Sequence, residues 1–227
     1  MLSHRSKGLG LREQNKFEKR QRIRVAVREL FSRHGYETAT LRQIAKRAHV
    51  GLGTLFNYAQ DKRDLVFLIF NEELAAVTDE ALKTAQTQER LLGKLLGMCR
   101  PHYDFFSKNP ALSRILLKDM TFYSEGKQAH EFQRIRGRLL SGIEDVVRAA
   151  QKDRQIRSKE EAAMIARHFF LVFAGALRWW IASRRPNSRE GLAYLKRLFE
   201  LQINGLRFSP ARRTNSANQT HRKAIPR

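Results

Sequence analysis

The chain has 227 residues, carries 44 Lys and Arg against 22 Asp and Glu, and has a net charge of +22. A chain of this length buries a core without disulfides or metals. Its one cysteine, Cys99, excludes an internal disulfide framework and fits a reducing compartment. The cation excess points to a polyanionic partner, whether nucleic acid, an anionic membrane or an acidic ligand, and says nothing of the fold.

The most apolar stretch, residues 169–182, contains Arg178, so no membrane span is expected. The opening MLSHRSKGLGLREQNK lacks the apolar region of a signal peptide, and the expected location is the cytoplasm. Residues 1–79 carry 15 basic and 9 acidic side chains, residues 80–207 carry 24 and 13, and residues 208–227 carry 5 and none. Both ends, residues 1–15 and 208–227, are polar and poor in apolar groups. They are expected to be a flexible basic arm and a disordered basic tail, either solvated or adding non-specific phosphate attraction.

Between the ends every pattern is helical. Ile23, Ala26, Val27, Leu30 and Phe31 recur at helix spacing within residues 16–34, and Gly35 can supply the positive φ of a helix end. Thr40 and Gln43 fit a capping box that opens a second, short helix whose inner face is Leu41, Ile44, Ala45 and Ala48. After the turn His49-Val50-Gly51, a third short helix covers residues 52–58. Asp61 caps a fourth, over residues 62–85.

A fifth helix ends near Asn109 and presents Leu91, Leu95, Met98, His102 and Phe105, with Pro101 expected to kink it. Asn109-Pro110 opens a short sixth helix. Phe132, Ile135, Leu139, Ile143 and Val146 mark a seventh. Ser158 and Glu161 fit a capping box for an eighth reaching about Arg184, and a ninth follows Pro186-Asn187-Ser188 to about Arg207. No strand alternation appears, so the fold class is all-α, with about nine helices.

Residues 40–58 carry the functional signal. Two short helices meet at a turn of three or four residues, with small Ala45 at the close approach, Gly51 in the turn, and Thr54, Asn57 and Tyr58 on a polar face of the second. That is the layout of a helix-turn-helix, whose second helix enters the major groove, although a plain helical hairpin has similar parts. No catalytic constellation competes with it. Gly51-Leu52-Gly53 lacks the strand and later glycine of a nucleotide loop. Cys99 and His102 are too few for a metal site, and nothing nearby activates the thiol. Neither enzyme activity, cofactor nor metal is expected.

The run HGYETATLRQIAKRAHVGLGTLFNYAQDKRDL resembles the DNA-binding domain of the tetracycline-repressor (TetR) family of bacterial regulators, over about 50 residues from Ile23. FAGALRWWIASRRP and LKRLFELQINGL look like the two family helices that form the dimer. The resemblance implies a helix-turn-helix DNA-binding domain over 16–79, linking helix included, and an effector-binding and dimerisation domain over 80–207. It implies that Thr40 caps beside a phosphate and Arg42 reaches a base edge or phosphate. Thr54, Asn57 and Tyr58 face groove and backbone, and Lys62 contacts phosphate. Gly51, Leu52 and Gly53 open the recognition helix and belong to the same set. Gly51 replaces a frequent Ser, Leu52 a frequent Lys, Phe56 a usual Tyr and Ala59 a usual Phe; Ala45, Val50, Leu55 and Phe56 are expected to supply the domain's core.

The resemblance also implies a pocket among the middle helices. Its candidate lining is Met98, His102, Phe106, Met120, Phe122, Tyr123, Phe132 and Phe169, aromatic and Met-rich enough for a largely apolar small molecule. The charge of residues 80–207 adds the sharper expectation of an anionic ligand such as a fatty acyl thioester. The stripe Phe169, Phe173, Leu177 and Trp180, beside small Gly175 and Ala176, is either core or dimer face. The resemblance favours a homodimer through Phe173, Leu177, Trp180, Leu198 and Leu201.

The expected function is a ligand-responsive regulator, a repressor that binds a roughly palindromic site on double-stranded DNA and is released by its effector. The alternatives are a non-specific architectural DNA binder, which the charge would also fit, and an interaction module that has lost DNA binding.

Overall fold

The computed structural model describes residues 10–207, which form nine α-helices and, among the described residues, no strand. They are α1 (Leu11–His34), α2 (Leu41–Arg47), α3 (Leu52–Phe56), α4 (Lys62–Gln86), α5 (Leu91–Ser107), α6 (Pro110–Met120), α7 (Ala129–Lys152), α8 (Ala162–Ile181) and α9 (Ser188–Arg207). The expected tail, 208–227, and most of the expected arm lie outside the described residues. Residues 10–15 of the arm do not: α1 starts at Leu11 rather than Lys16. Arg, Glu, Gln and Lys propagate a helix that packed Ile23, Val27 and Phe31 already hold further along.

The starts of α2, α4 and α6 and the end of α1 follow their local chemistry. Thr40 closes a full capping box with Gln43, Asp61 Oδ1 accepts from Asp64 N at 2.7 Å, and Asn109 Oδ1 accepts from Leu112 N at 3.2 Å ahead of Pro110. Gly35 ends α1 with φ of 80°. The box expected at Ser158 and Glu161 does not form. The Ser158 hydroxyl accepts from Glu160 N at 3.2 Å, and α8 starts only at Ala162, without a side-chain cap. Gln151 instead binds the carbonyls of Ser158 and Glu160. α3 stops at Phe56, short of the expected Tyr58, and α8 stops at Ile181 rather than Arg184. α5 runs through Pro101 without a break in the helix.

α4 is the central element. Its run from Leu65 to Phe70 is buried all round, because it meets α1, α5, α6 and α7 in turn. α5 packs along its length, α7 crosses it, and α8 and α9 close the outside against α7 and α5. Arg24 and Arg28 of α1 both donate to the carbonyl of Ile69, at 3.3 and 2.8 Å, and pair with Glu72 and Glu73. α4 is continuous across residues 79 and 80, where the two expected domains meet.

A second tie lies at the start of α4. The buried carboxylate of Asp64 accepts from Gln60 N and Lys127 N, both at 2.9 Å, from Gln128 N at 3.2 Å and from the Tyr123 hydroxyl. Tyr123 stacks on Phe67 with ring centroids 3.6 Å apart. Gly126 sits at φ of 130°, and a Cβ there would collide with this carboxylate. The segment joining α6 to α7 is thereby fixed to the first turn of α4. Gln128 reaches further, donating to the carbonyl of Tyr58 just past α3 at 2.9 Å.

Candidate nucleic-acid interface and ligand cleft

α2 and α3 form the expected helix-turn-helix. Ile44, Ala45, Ala48 and Leu55 are buried, and Val50 N donates back to Ala45 O at 3.0 Å across the turn. His49 takes φ of 53° there, a positive value that an L residue adopts only when its neighbours hold it. Gly51 begins α3 with extended backbone and no side-chain cap. Residues 38–60 hold Arg42, Lys46 and Arg47 and no acidic residue. Arg47 is paired with Glu29 at 2.6 Å, whereas Arg42 and Lys46, one turn apart on the exposed side of α2, have no ion-pair partner among the described residues.

The residues singled out from the sequence lie on this side in unequal ways. Thr40, Arg42, Gly51, Gly53 and Asn57 are exposed, and Leu52, Thr54 and Tyr58 are half-buried. The Thr40 hydroxyl is occupied by its capping box, and the Tyr58 hydroxyl donates to Lys16 O at 3.2 Å. Lys62 is engaged inside the domain. Its ammonium donates to the carbonyls of Tyr36 and Glu37, both at 2.9 Å, and lies 4.9 Å from the Tyr36 ring centre. One of its three N–H groups is left for a phosphate.

Phe56, expected in the core, is 41% exposed. Leu55 takes the inward position of this single helical turn, the next residue is carried about 100° round to the outside, and Ala59 fills the interior instead. Phe56 therefore joins the exposed face of α3. Lys46 is a further member that the charge-free interval 48–60 made visible in the sequence.

Above this domain, a cleft of about 530 Å³ opens between α4 and α5 on one side and α7 and α8 on the other, with α6 at its end. His102, Phe106, Met120 and Phe132 line it as expected from the sequence. The others of that set sit elsewhere. Met98 is buried beneath α7, Phe122 is 81% exposed, Tyr123 is stacked on Phe67, and Phe169 meets Phe199 of α9 edge-on. α8 turns Phe170, Phe173 and Leu177 to the cleft instead.

The walls are mostly apolar, and the polar groups are few. Arg136, Arg167 and Arg178 border the cleft. Arg178 is held by the carbonyls of Ala174 and Leu117 and by the Thr121 hydroxyl, and its half-buried guanidinium has its pKa lowered by desolvation. Arg136 and Arg167 have no ion-pair partner among the described residues. Opposite them, His102 binds the carbonyl of Met98 through Nδ1 at 3.0 Å, and burial pushes its pKa from 6.5 down to about 4, so the ring is neutral at pH 7.

The stripe Phe169, Phe173, Leu177 and Trp180 is buried within the chain, against Phe199, His102 and Tyr103. The outer faces of α8 and α9 carry different residues. Met164, Leu171, Gly175 and Trp179 recur along α8, Leu171 and Gly175 also bordering the cleft, with Leu171 66% and Trp179 77% exposed. Tyr194, half-buried Leu198 and Leu201, the last 71% exposed, recur along α9. α8 is also the described helix long and apolar enough to cross a membrane; here it packs against α7 and α9.

Residues 23–69 match the family described as bacterial regulatory proteins, tetR family. An HTH-type transcriptional regulator of Staphylococcus aureus is 39% identical over 57 residues, which are 25% of this chain and 31% of that protein. The chain thus spans about a third of the length of the curated relatives it matches. Solved structures are similar over far more of it. FadR of Bacillus subtilis, solved with stearoyl-CoA, covers 82% of this chain and 98% of its own at TM-score 0.64 and 17% identity.

FadR of Thermus thermophilus, a TetR-family transcriptional repressor solved with lauroyl-CoA, covers 85% and 98% at TM-score 0.63 and 21% identity. The ketosteroid regulator KstR2 of Mycobacterium tuberculosis covers 84% and 96% at TM-score 0.57 and 12% identity. At such identities the likeness is one of fold. The sequence match over α1 to α4 is to the tetR family of bacterial regulatory proteins, and the helices that follow share the fold of solved regulators of that family.

Proposed function

We propose that this chain is a ligand-responsive transcription regulator that binds a roughly palindromic operator as a homodimer and, acting as a repressor, leaves it when a small molecule fills the cleft. The observation that carries the reading is the junction of two surfaces through one helix. α2 and α3 present unpaired Arg42 and Lys46 in an acid-free stretch, and α4 runs from beside them to the wall of the cleft. In this reading α3 enters the major groove with Gly51, Leu52, Gly53, Thr54, Phe56 and Asn57 toward the bases. Arg42, Lys46, Thr40, Tyr58 and the remaining donor of Lys62 hold the phosphates.

The DNA-binding unit runs to about residue 79 and the effector and dimer unit over 80–207. Dimerisation uses the outer faces of α8 and α9, where Leu171, Trp179, Tyr194 and Leu201 would otherwise leave large apolar groups in water. The effector is an apolar molecule with an anionic end, a fatty acyl-CoA being the class that fits both the apolar walls and Arg136 and Arg167. Stearoyl-CoA and lauroyl-CoA in the two FadR structures support that class. Filling the cleft weakens DNA binding only as far as the ligand prefers the arrangement in which the two α3 helices no longer match successive grooves.

The test is selection of bound fragments from a random DNA pool at moderate salt, with wild type and Arg42→Ala in parallel. A palindromic consensus that weakens in the variant is expected. Retention governed by salt alone, with no consensus, would overturn the reading in favour of non-specific architectural binding.

A further inference from the structure

The cleft holds two polar groups that neither the apolar walls nor the arginines account for. Thr78 of α4 is buried, lines the cleft, and its hydroxyl makes no hydrogen bond among the described residues. A helical threonine ordinarily bonds the carbonyl one turn back, as Thr84 does with Glu80 at 2.9 Å. His102 of α5 is buried in the same wall. Its Nδ1 is taken by Met98 O, and Nε2 has no partner among the described residues.

The two side chains stand at the same level. α4 and α5 are antiparallel, Phe70 meets Phe105 at 5.9 Å between ring centres, and Gly97 lies against Thr84. Thr78 and His102 fall between these contacts, both on the cleft side. A carbonyl only accepts, so the neutral ring carries its proton on Nδ1 and presents Nε2 as an acceptor. The Thr78 hydroxyl can both donate and accept. Across the cleft, Arg136 and Arg167 supply the positive border.

We infer that the effector is an anionic amphiphile with a second, uncharged oxygen, a hydroxyl borne on its apolar part, which donates to His102 Nε2 and accepts from the Thr78 hydroxyl while its charged end lies at Arg136 and Arg167. The inference rests on the reading of the cleft as the effector site and narrows it. A saturated acyl chain leaves both groups without a partner or obliges the cleft to keep water beside it. A hydroxyl satisfies both at once. A ketone satisfies only Thr78 and ranks between the two.

The test is calorimetric binding to the full-length protein of lauroyl-CoA and a series of hydroxylauroyl-CoA thioesters with the hydroxyl stepped along the chain. The same titrations are run on Thr78→Val and His102→Phe. At least one hydroxylated member is expected to bind about tenfold tighter than lauroyl-CoA, the effect of one or two hydrogen bonds in a dry site. Each variant should reduce that preference to within about threefold, and the near-isosteric Thr78→Val keeps the test sound if His102→Phe unfolds. Equal binding of the parent and every hydroxylated form to wild type overturns this inference alone, as does a preference that survives both substitutions. Binding of none of the thioesters overturns the acyl-CoA reading and the inference with it.

Discussion

Replacing Asp64 by Ala should destabilise the protein far more than any loss of apolar area accounts for. The carboxylate is fully buried and receives three backbone N–H groups and one phenolic hydroxyl. Alanine strands all four donors. At about 1 kcal/mol for each donor left short of a partner, and with the exposed α6–α7 segment free to recruit some water, the cost is about 4 kcal/mol. For a chain of this size that is a fall in melting temperature on the order of 8–16 °C.

Tyr123→Phe is the control. It removes one donor and leaves the stacking on Phe67 and the three amide bonds in place, so about 1 kcal/mol is expected. Gly126→Ala should behave like Asp64→Ala, because its φ of 130° and its contact with the carboxylate both exclude a Cβ. Urea unfolding followed by circular dichroism measures all three. A cost below about 1 kcal/mol for Asp64→Ala would show that the segment before α7 is not held by this carboxylate, and the tie from α4 through Gln128 to the end of α3 would go with it.

Further outcomes follow from the same structure. Arg42→Ala should weaken operator binding roughly 10- to 100-fold, or reduce the salt slope by about one ion if its contact is to phosphate alone; titration at several salt concentrations separates the two. His102 has a folded pKa of about 4 against 6.5 ordinarily, so the unfolded chain binds the extra proton between those values. Stability should therefore be intact above pH 6.5 and fall by about 2–3 kcal/mol as the pH drops toward 4. His102→Phe should flatten that part of the profile in acid-titrated unfolding curves. Burial pushes the Cys99 thiol well above its usual range, so a thiol reagent at pH 8 should label it only as fast as the protein opens. Leu201→Glu together with Trp179→Glu should give a monomer by light scattering, with thermal stability lowered and helix content kept.

Helix order was legible in the apolar periodicity, and the starts of α2, α4 and α6 because each rests on one local interaction. Thr40 with Gln43, Asp61 with the third residue of α4, and Asn109 before Pro110 act within one turn and need nothing from the rest of the chain. Ser158 had the same local signature and failed, because Gln151 of α7 claims the carbonyls of Ser158 and Glu160 and holds the approach to α8 extended. That competition is tertiary, and no pattern of neighbours reveals it. Phe56 failed for a related reason. A helix of one turn offers a single inward position, Leu55 takes it, and hydrophobicity alone cannot choose between adjacent residues.

The cleft was half legible. Phe106, Phe132 and His102 line it because each falls on the inner face of its own helix, which periodicity gives. Phe169 and Phe170 are adjacent, and which of them meets the cleft depends on how α8 is rotated between α7 and α9. For the stripe Phe169, Phe173, Leu177 and Trp180, left open in the sequence between core and dimer face, the structure gives the core. α8 is apolar nearly all round, so its sequence shows several stripes and the packing selects which one is buried.

The charge is the feature whose meaning the structure changes most. A net +22 read from the sequence suggests a surface given over to polyanions. Several arginines spend their donors on the protein's own carbonyls instead. Arg24 and Arg28 hold Ile69 O, Arg114 holds the carbonyls of Ile181 and Ser183 at 2.9 Å, and Arg178 holds those of Ala174 and Leu117. These groups fasten helix to helix with a guanidinium fork that lysine could not supply, and they are poor candidates for phosphate contacts because leaving the carbonyl strands an acceptor. Arg42 and Lys46, by contrast, stand free on α2 beside an exposed α3 with no acid between residues 38 and 60. In the proposed function DNA recognition therefore rests on these two cations, unpaired among the described residues, and the total charge adds long-range attraction whose weight falls as salt rises.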